Sequence, residues 1–273
     1  MQKIIISHDI DHLKVFEHYK DLIIPKFIIK STIEKLIGVI SWKEYLLRYK
    51  RIIENKWQNL DEIMKFNKKN NIPATFFIGT NNGMYLSYPL KEALKWSKKI
   101  VDNGFDIGVH GIEYKDFNIM KKEFENLKSV INKEIGIRMH YLRNDNETIK
   151  KLSKIGYQFD STLLEDKNPY KIGKMLEFPL HIMDGHVFYE DARYTTKSLE
   201  YYKQKTINRL DELQNKNIQY ISILFHDRYF DDSFMIWKEW YIWLINYLKE
   251  NNYQFISYKD AIKELNEKNN MDN

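Results

Sequence analysis

Apolar residues in this chain fall into short runs, each closed by polar or ionisable residues, and the runs alternate with stretches of helical spacing. The first run, residues 3–7, reads as a short buried strand that empties into Ser7-His8-Asp9-Ile10-Asp11-His12. Residues 19–53 then carry apolar positions at helical spacing, with lysines on the other faces. From residue 57 the two patterns alternate. Helices are predicted over 57–70, 90–103, 121–133, 147–155, 198–215, 234–251 and 260–264. Strands are predicted over 74–79, 105–111, 135–143, 157–161, 219–225 and 254–257, with 175–183 extended. Gly104 and Gly156 fit the caps that end two of the helices. Such alternation argues a parallel α/β architecture. The whole reads as a single domain over residues 1–265, with a helical insertion over 13–56 and a flexible tail over 266–273.

In parallel α/β folds functional groups gather at the C-terminal ends of strands, and this chain puts its ionisable residues there. Asp9 and Asp11 close the first strand, and residues two apart on a strand point the same way. Two carboxylates that close repel unless a positive charge separates them; a divalent metal does so, held by one acid while the other works as a base. The alternative is a polar strand end that merely opens a loop. His110 closes the strand over 105–111, His140 and Arg143 close 135–143, Asp160 closes 157–161, and His226 and Asp227 close 219–225. Five strand ends aiming such groups at one rim predict a single site at the mouth of a barrel. His8 and His12 are further ligand candidates, although each neighbours a strand residue facing the other way. His181 and His186 fall in a loop-like stretch suited to lining a groove, and His18 reads as surface.

Composition narrows the chemistry. The 273 residues include no cysteine, so any metal must sit on His, Asp or Glu. Ten basic and five acidic residues lie between 13 and 56, so the chain's net charge of +5 resides in the insertion. A charge that local excludes a general nucleic-acid binder. The insertion reads either as helices packed on the main body or as a basic amphipathic surface that meets a membrane or a lipid-linked substrate. No signal peptide and no run long enough to span a bilayer are visible, so the expected compartment is the cytoplasm, with membrane association through the insertion.

The order and spacing of these motifs resemble the polysaccharide deacetylases of the NodB-homology type, a carbohydrate esterase family. The resemblance implies a single deformed (β/α) barrel, TIM-like, with about seven strands, and a metal-dependent site. His8-Asp9-Ile10-Asp11-His12 resembles the first motif, which implies that Asp9 is the base and Asp11 a metal ligand. The stretch from Asn103 to Gly111 resembles the second motif and makes His110 a ligand. Tyr141-Leu142-Arg143-Asn144-Asp145 resembles the third, in which an arginine, here Arg143, holds the catalytic aspartate. Ile223 to Asp227 resembles the fifth, whose histidine, here His226, acts as general acid. Residues 138–143 and 178–184 are most similar to a bacterial subgroup associated with capsule or lipopolysaccharide synthesis. One departure stands out: the second motif usually carries another histidine four residues on, and this chain has Tyr114 there. His140 is the preferred substitute as third ligand of a divalent metal, zinc by the resemblance, the alternative being that it supports the ligands or contacts the substrate. Asp160 or Asp227 is expected to fix the His226 tautomer, and Tyr141 and Phe225 to stack on sugar rings. The implied reaction is hydrolysis of an N-acetyl group, with O-acetyl as a variant, on an amino sugar of a cell-surface polysaccharide or its precursor. Two rivals remain: a sugar-binding barrel that has lost its metal, motivated by Tyr114, and an amidohydrolase acting on another C–N bond.

Overall fold

The computed structural model describes residues 2–189 and 197–271. Its centre is one sheet of ten strands: β1 (Lys3–Ile10), β2 (Thr75–Ile78), β3 (Asp106–Gly111), β4 (Ile137–Met139), β5 (Phe159–Asp160), β6 (Tyr170–Ile172), β7 (Met175–Glu177), β8 (Leu180–Met183), β9 (Tyr220–Leu224) and β10 (Gln254–Phe255). Strands neighbour one another in the order β6-β7-β5-β4-β3-β2-β1-β9-β8, and β10 pairs with the start of β1. All pairings are parallel except β6 with β7. The sheet curls into a half-barrel; among the described residues its end strands β6 and β8 are not paired to each other. The α/β expectation holds; the extended stretch over 175–183 splits into β7 and β8, and the short strand β6 has no counterpart in the sequence reading.

Among the described residues ten α-helices flank the sheet: α1 (Ile23–Leu36), α2 (Trp42–Ile53), α3 (Leu60–Lys69), α4 (Leu90–Asp102), α5 (Phe117–Lys128), α6 (Thr148–Ile155), α7 (Asp184–Tyr189), α8 (Leu199–Asn215), α9 (Met235–Glu250) and α10 (Tyr258–Met271). The insertion splits into α1 and α2 rather than running as one stretch. Gly38, at φ +77°, takes the left-handed turn between them. Ser41 then caps α2: its Oγ accepts from the Glu44 N–H while the Glu44 carboxylate accepts from the Ser41 N–H. The last helix runs as far as Met271, and residues 272–273 of the expected tail lie outside the described residues.

The two-residue alternation of β1 sets up everything that follows. Ile4, Ile6 and Ile10 join the large core between sheet and helices. Ile5 joins a smaller cluster inside the barrel with Phe77, Phe159, Phe178 and Tyr258, where α10 plugs the floor. Residues 5, 7, 9 and 11 therefore share the inner face, and 4, 6, 8 and 10 the outer one. His8 is on the outer face, fully buried, with Nδ1 2.7 Å from the Phe225 carbonyl and Nε2 2.8 Å from Asn67 Nδ2. Burial lowers it to about 4, so it is a neutral core histidine and not a site residue.

The insertion exposes a large apolar surface. Leu22, Ile29, Leu36, Trp42, Leu46 and Ile53 are each more than half exposed, and lysines stand among them, Lys35 lying 4.5 Å over the Trp42 ring. Among the described residues no helix is long and apolar enough to cross a membrane.

Candidate active site

The inner-face positions of four strands converge at the barrel mouth. β1 supplies Asp9 and, one step past its end, Asp11; β3 supplies His110; β4 supplies Arg138 and leads into His140; β9 leads into His226. Asp11 Oδ1 lies 3.2 Å from His110 Nε2 and 3.3 Å from His140 Nδ1, and those two nitrogens are 2.9 Å apart. The outer nitrogens of both rings face carbonyls: His110 Nδ1 is 3.0 Å from the Arg138 oxygen, and His140 Nε2 is 3.0 Å from the Met84 oxygen. A carbonyl only accepts, so each outer nitrogen carries the proton and each inner nitrogen a lone pair. Two lone pairs thus meet the Asp11 carboxylate oxygen, which is buried and accepts no hydrogen bond. Three unprotonated donors facing one point, each imidazole oriented by a backbone carbonyl, fit a divalent cation.

Asp9 and His226 flank this cluster. Asp9 Oδ2 is 3.8 Å from His110 Nε2, and His226 Nε2 is 3.7 Å from Asp11 Oδ2. Each is held by a residue the sequence did not single out. Arg138 Nη1 donates to Asp9 Oδ1 at 2.9 Å and to Ser7 Oγ at 2.8 Å. Its other nitrogens donate to the Ser161 carbonyl, Ser161 Oγ and Tyr258 Oη. The guanidinium is fully buried, 4.5 Å over the Phe77 ring. The expected clamp, Arg143, does not reach Asp9. β4 stops at Met139, and Tyr141 and Leu142 adopt φ +55° and +53°, which breaks the strand alternation. Arg143 instead donates to the Ile112 carbonyl and lies over the Tyr114 ring at 5.1 Å. The same turn swings Tyr141 to the cavity, 60% exposed.

His226 is oriented by Asp184, which accepts from its Nδ1 at 2.8 Å and from its backbone N–H at 2.7 Å. Burial works against the protonated ring, but the Asp184 carboxylate outweighs it and lifts His226 to about 10. Asp160 and Asp227, the expected partners, are engaged elsewhere. Phe159 and Ser161 take the inner positions of their strand, so Asp160 faces outward and accepts from Thr162 Oγ1 at 2.6 Å. Asp227 lines the cavity but accepts from the Asn59 N–H at 2.9 Å, and burial pushes it up to about 7. Tyr114 stands outside the donor cluster, and His140 completes it. Phe225 is fully buried, stacked on Tyr241.

The cavity over the cluster holds about 810 Å³, ample for a sugar ring and its substituents, and Tyr85, Tyr141 and Tyr189 stand in its wall. His12 also lines it, with Nδ1 2.9 Å from His18 Nε2; His18 Nδ1 in turn is 2.7 Å from Asp21 Oδ2. His18 is therefore buried within this chain of hydrogen bonds and not on the surface. His186 lines both this cavity and a second one of about 660 Å³, where His181 also sits.

The fold is the (β/α)-barrel fold found in polysaccharide deacetylase structures. Residues 54–159 match the family model described as Polysaccharide deacetylase, a segment that holds His110, Arg138 and His140. A polysaccharide deacetylase structure from Mycobacterium smegmatis superposes with a TM-score of 0.64 at 13% identity, over 98% of this chain and 91% of that one. One from Pseudomonas aeruginosa PAO1 gives 0.57 at 16% identity, over 76% and 72%. Puue allantoinase gives 0.62 at 13% identity, over 96% and 89%. At these identities the likeness is one of fold. No curated protein matches the sequence.

Proposed function

We propose that this protein removes the N-acetyl group from an amino sugar of a cell-surface polysaccharide or its precursor, with a divalent metal, zinc by the donor set, on Asp11, His110 and His140. The observation that carries this is the convergence of three lone-pair donors between a clamped carboxylate and a clamped imidazole. When bound, the metal polarises the acetamido carbonyl and acidifies water at neutral pH. Asp9, held by Arg138, takes a proton from the attacking water. His226, kept protonated by Asp184, gives a proton to the departing amine. The C–N bond breaks, and acetate and the free amine leave. An O-acetyl substrate needs the same groups.

A barrel that only binds sugar has no use for a base and an acid on either side of a donor cluster. An amidohydrolase acting on another C–N bond uses the same parts, and the fold neighbours include an allantoinase; the product separates the two. Elemental analysis of the purified protein is expected to find close to one divalent metal per chain, lost in both Asp11→Ala and His110→Ala, with acetate released from acetylated amino sugars. No metal after soaking with several divalent ions would sink this reading.

The exposed apolar side chains of α1 and α2, set among lysines, support a peripheral contact of the insertion with an anionic membrane. Cosedimentation with phosphatidylglycerol vesicles, abolished by Trp42→Ser with Leu46→Ser, is the expected outcome. Equal binding by that variant would dismiss the contact.

A further inference from the structure

Arg228 follows the proposed acid by two residues, and nothing in the reaction uses it. Its guanidinium lies 4.3 Å from the Trp57 ring centre, 5.0 Å from Phe27 and 5.6 Å from Phe234. Its Nε is buried without a hydrogen-bond partner. Among the described residues no carboxylate lies within ion-pair distance of it, and the neighbouring Asp227 is engaged by Asn59. Burying a cation without a counter-charge is costly. Arg48, close by, shows the usual solution: it pairs with Glu34 at 2.5 Å and donates to Ser31 Oγ and the Ser233 carbonyl.

The guanidinium faces space. Arg228 lines both the main cavity and a side cavity of about 250 Å³ that shares Ile23, Lys26, Tyr189 and Tyr229 with it. The side cavity also holds Lys30 and Arg48 against one acid, Glu34, which Arg48 and Lys30 both engage. Lys26 makes no ion pair among the described residues; its ammonium lies 5.7 Å over the Tyr85 ring. The wall beside the donor cluster is thus strongly cationic, and its central fork packs against three aromatic rings. A planar fork fits phosphate oxygens bidentately, and the neighbouring ammonium groups suit a doubly charged anion better than a single carboxylate. Two of these cations, Lys26 and Lys30, belong to α1, which gives the insertion a part in the site.

We infer that Arg228, with Lys26 and Lys30, binds a phosphate group carried by the substrate, so that the acetylated sugar is a glycosyl phosphate or diphosphate rather than a neutral glycan. The sugar half of this statement rests on the deacetylase reading; the anion half does not. The shared chemistry is the phosphate, whether it belongs to a soluble sugar nucleotide or to a lipid-linked sugar diphosphate.

Calorimetric titration of the purified protein with inorganic pyrophosphate tests it without any turnover. Pyrophosphate is expected to bind, at least about tenfold more weakly in Arg228→Gln and in Lys26→Ala, and equally well in Asp11→Ala. Equal binding by wild type and Arg228→Gln would overturn the inference, as would loss in Asp11→Ala alone, which would place the anion on the metal. Lys26 is exposed, so its variant reads the site even if Arg228→Gln folds poorly. Displacement of pyrophosphate by uridine diphosphate N-acetylglucosamine supports the subsite with a soluble source. Displacement only by vesicles bearing a polyprenyl diphosphate sugar supports it with a lipid-linked one. Displacement by neither would overturn the assignment to substrate. Acetate release that persists while pyrophosphate fails to bind would refute the subsite and leave the deacetylase standing.

Discussion

Replacing Asp184 by Asn is expected to lower deacetylation by about 10²–10⁴-fold, the range for removing an effective general acid, with metal content unchanged. Asp184 touches neither the donor cluster nor the inner carboxylate; it acts through His226. One of its oxygens accepts from the ring Nδ1 and the other from the His226 backbone N–H, so it fixes both the position of the imidazole and which nitrogen faces the cavity. It is also the charge that keeps the ring protonated against burial. An amide keeps the shape and removes the charge, so the acid is lost while the cavity survives. A residue needed only for folding would lower yield and stability; this one is expected to lower kcat with KM nearly constant. The downfield imidazole proton of His226 in NMR spectra is expected to vanish in the variant. Retention of that signal together with full activity would remove Asp184 from the mechanism.

Asp184 also shows where sequence reasoning stops. It ends an extended stretch after Met183, so the rule that functional groups sit at strand ends applies to it. Nothing local says that a residue 42 positions from His226 is its partner; that contact comes from the parallel pairing of β8 with β9. The donor trio was legible because strand ends carry their chemistry in short motifs, and because His140 was the candidate for the place Tyr114 leaves empty. Asp160 was misplaced for a different reason: it ends the right strand on the wrong face, since Phe159 takes the inner position and stacks on Tyr258. Strand-end position is necessary and parity decides. Arg228 was invisible to both rules, because a cation without a partner can be recognised only once every neighbour is known.

The largest stability effect is expected at Arg138, and it separates the two arginines of β4 and its turn. Arg138→Met leaves Asp9 buried without its counter-charge and strips donors from Ser7, Ser161 and Tyr258. Breaking one half of a buried ion pair costs about 3–5 kcal/mol, so the urea midpoint is expected to fall steeply and hydrolysis to disappear. Arg143→Ala removes one hydrogen bond to the Ile112 carbonyl and a contact with the Tyr114 ring. That is worth about 1 kcal/mol and leaves Asp9 as it was. The third-motif resemblance predicts the reverse, with Arg143 as the residue whose loss stops catalysis. The alternation of β4 explains the exchange. Arg138 and His140 are two apart and face inward together, while the left-handed residues Tyr141 and Leu142 turn the chain before Arg143 can follow. Urea unfolding and acetate release, measured on both variants, decide the matter. An active, stable Arg138→Met protein beside a dead Arg143→Ala protein would return the clamp to Arg143.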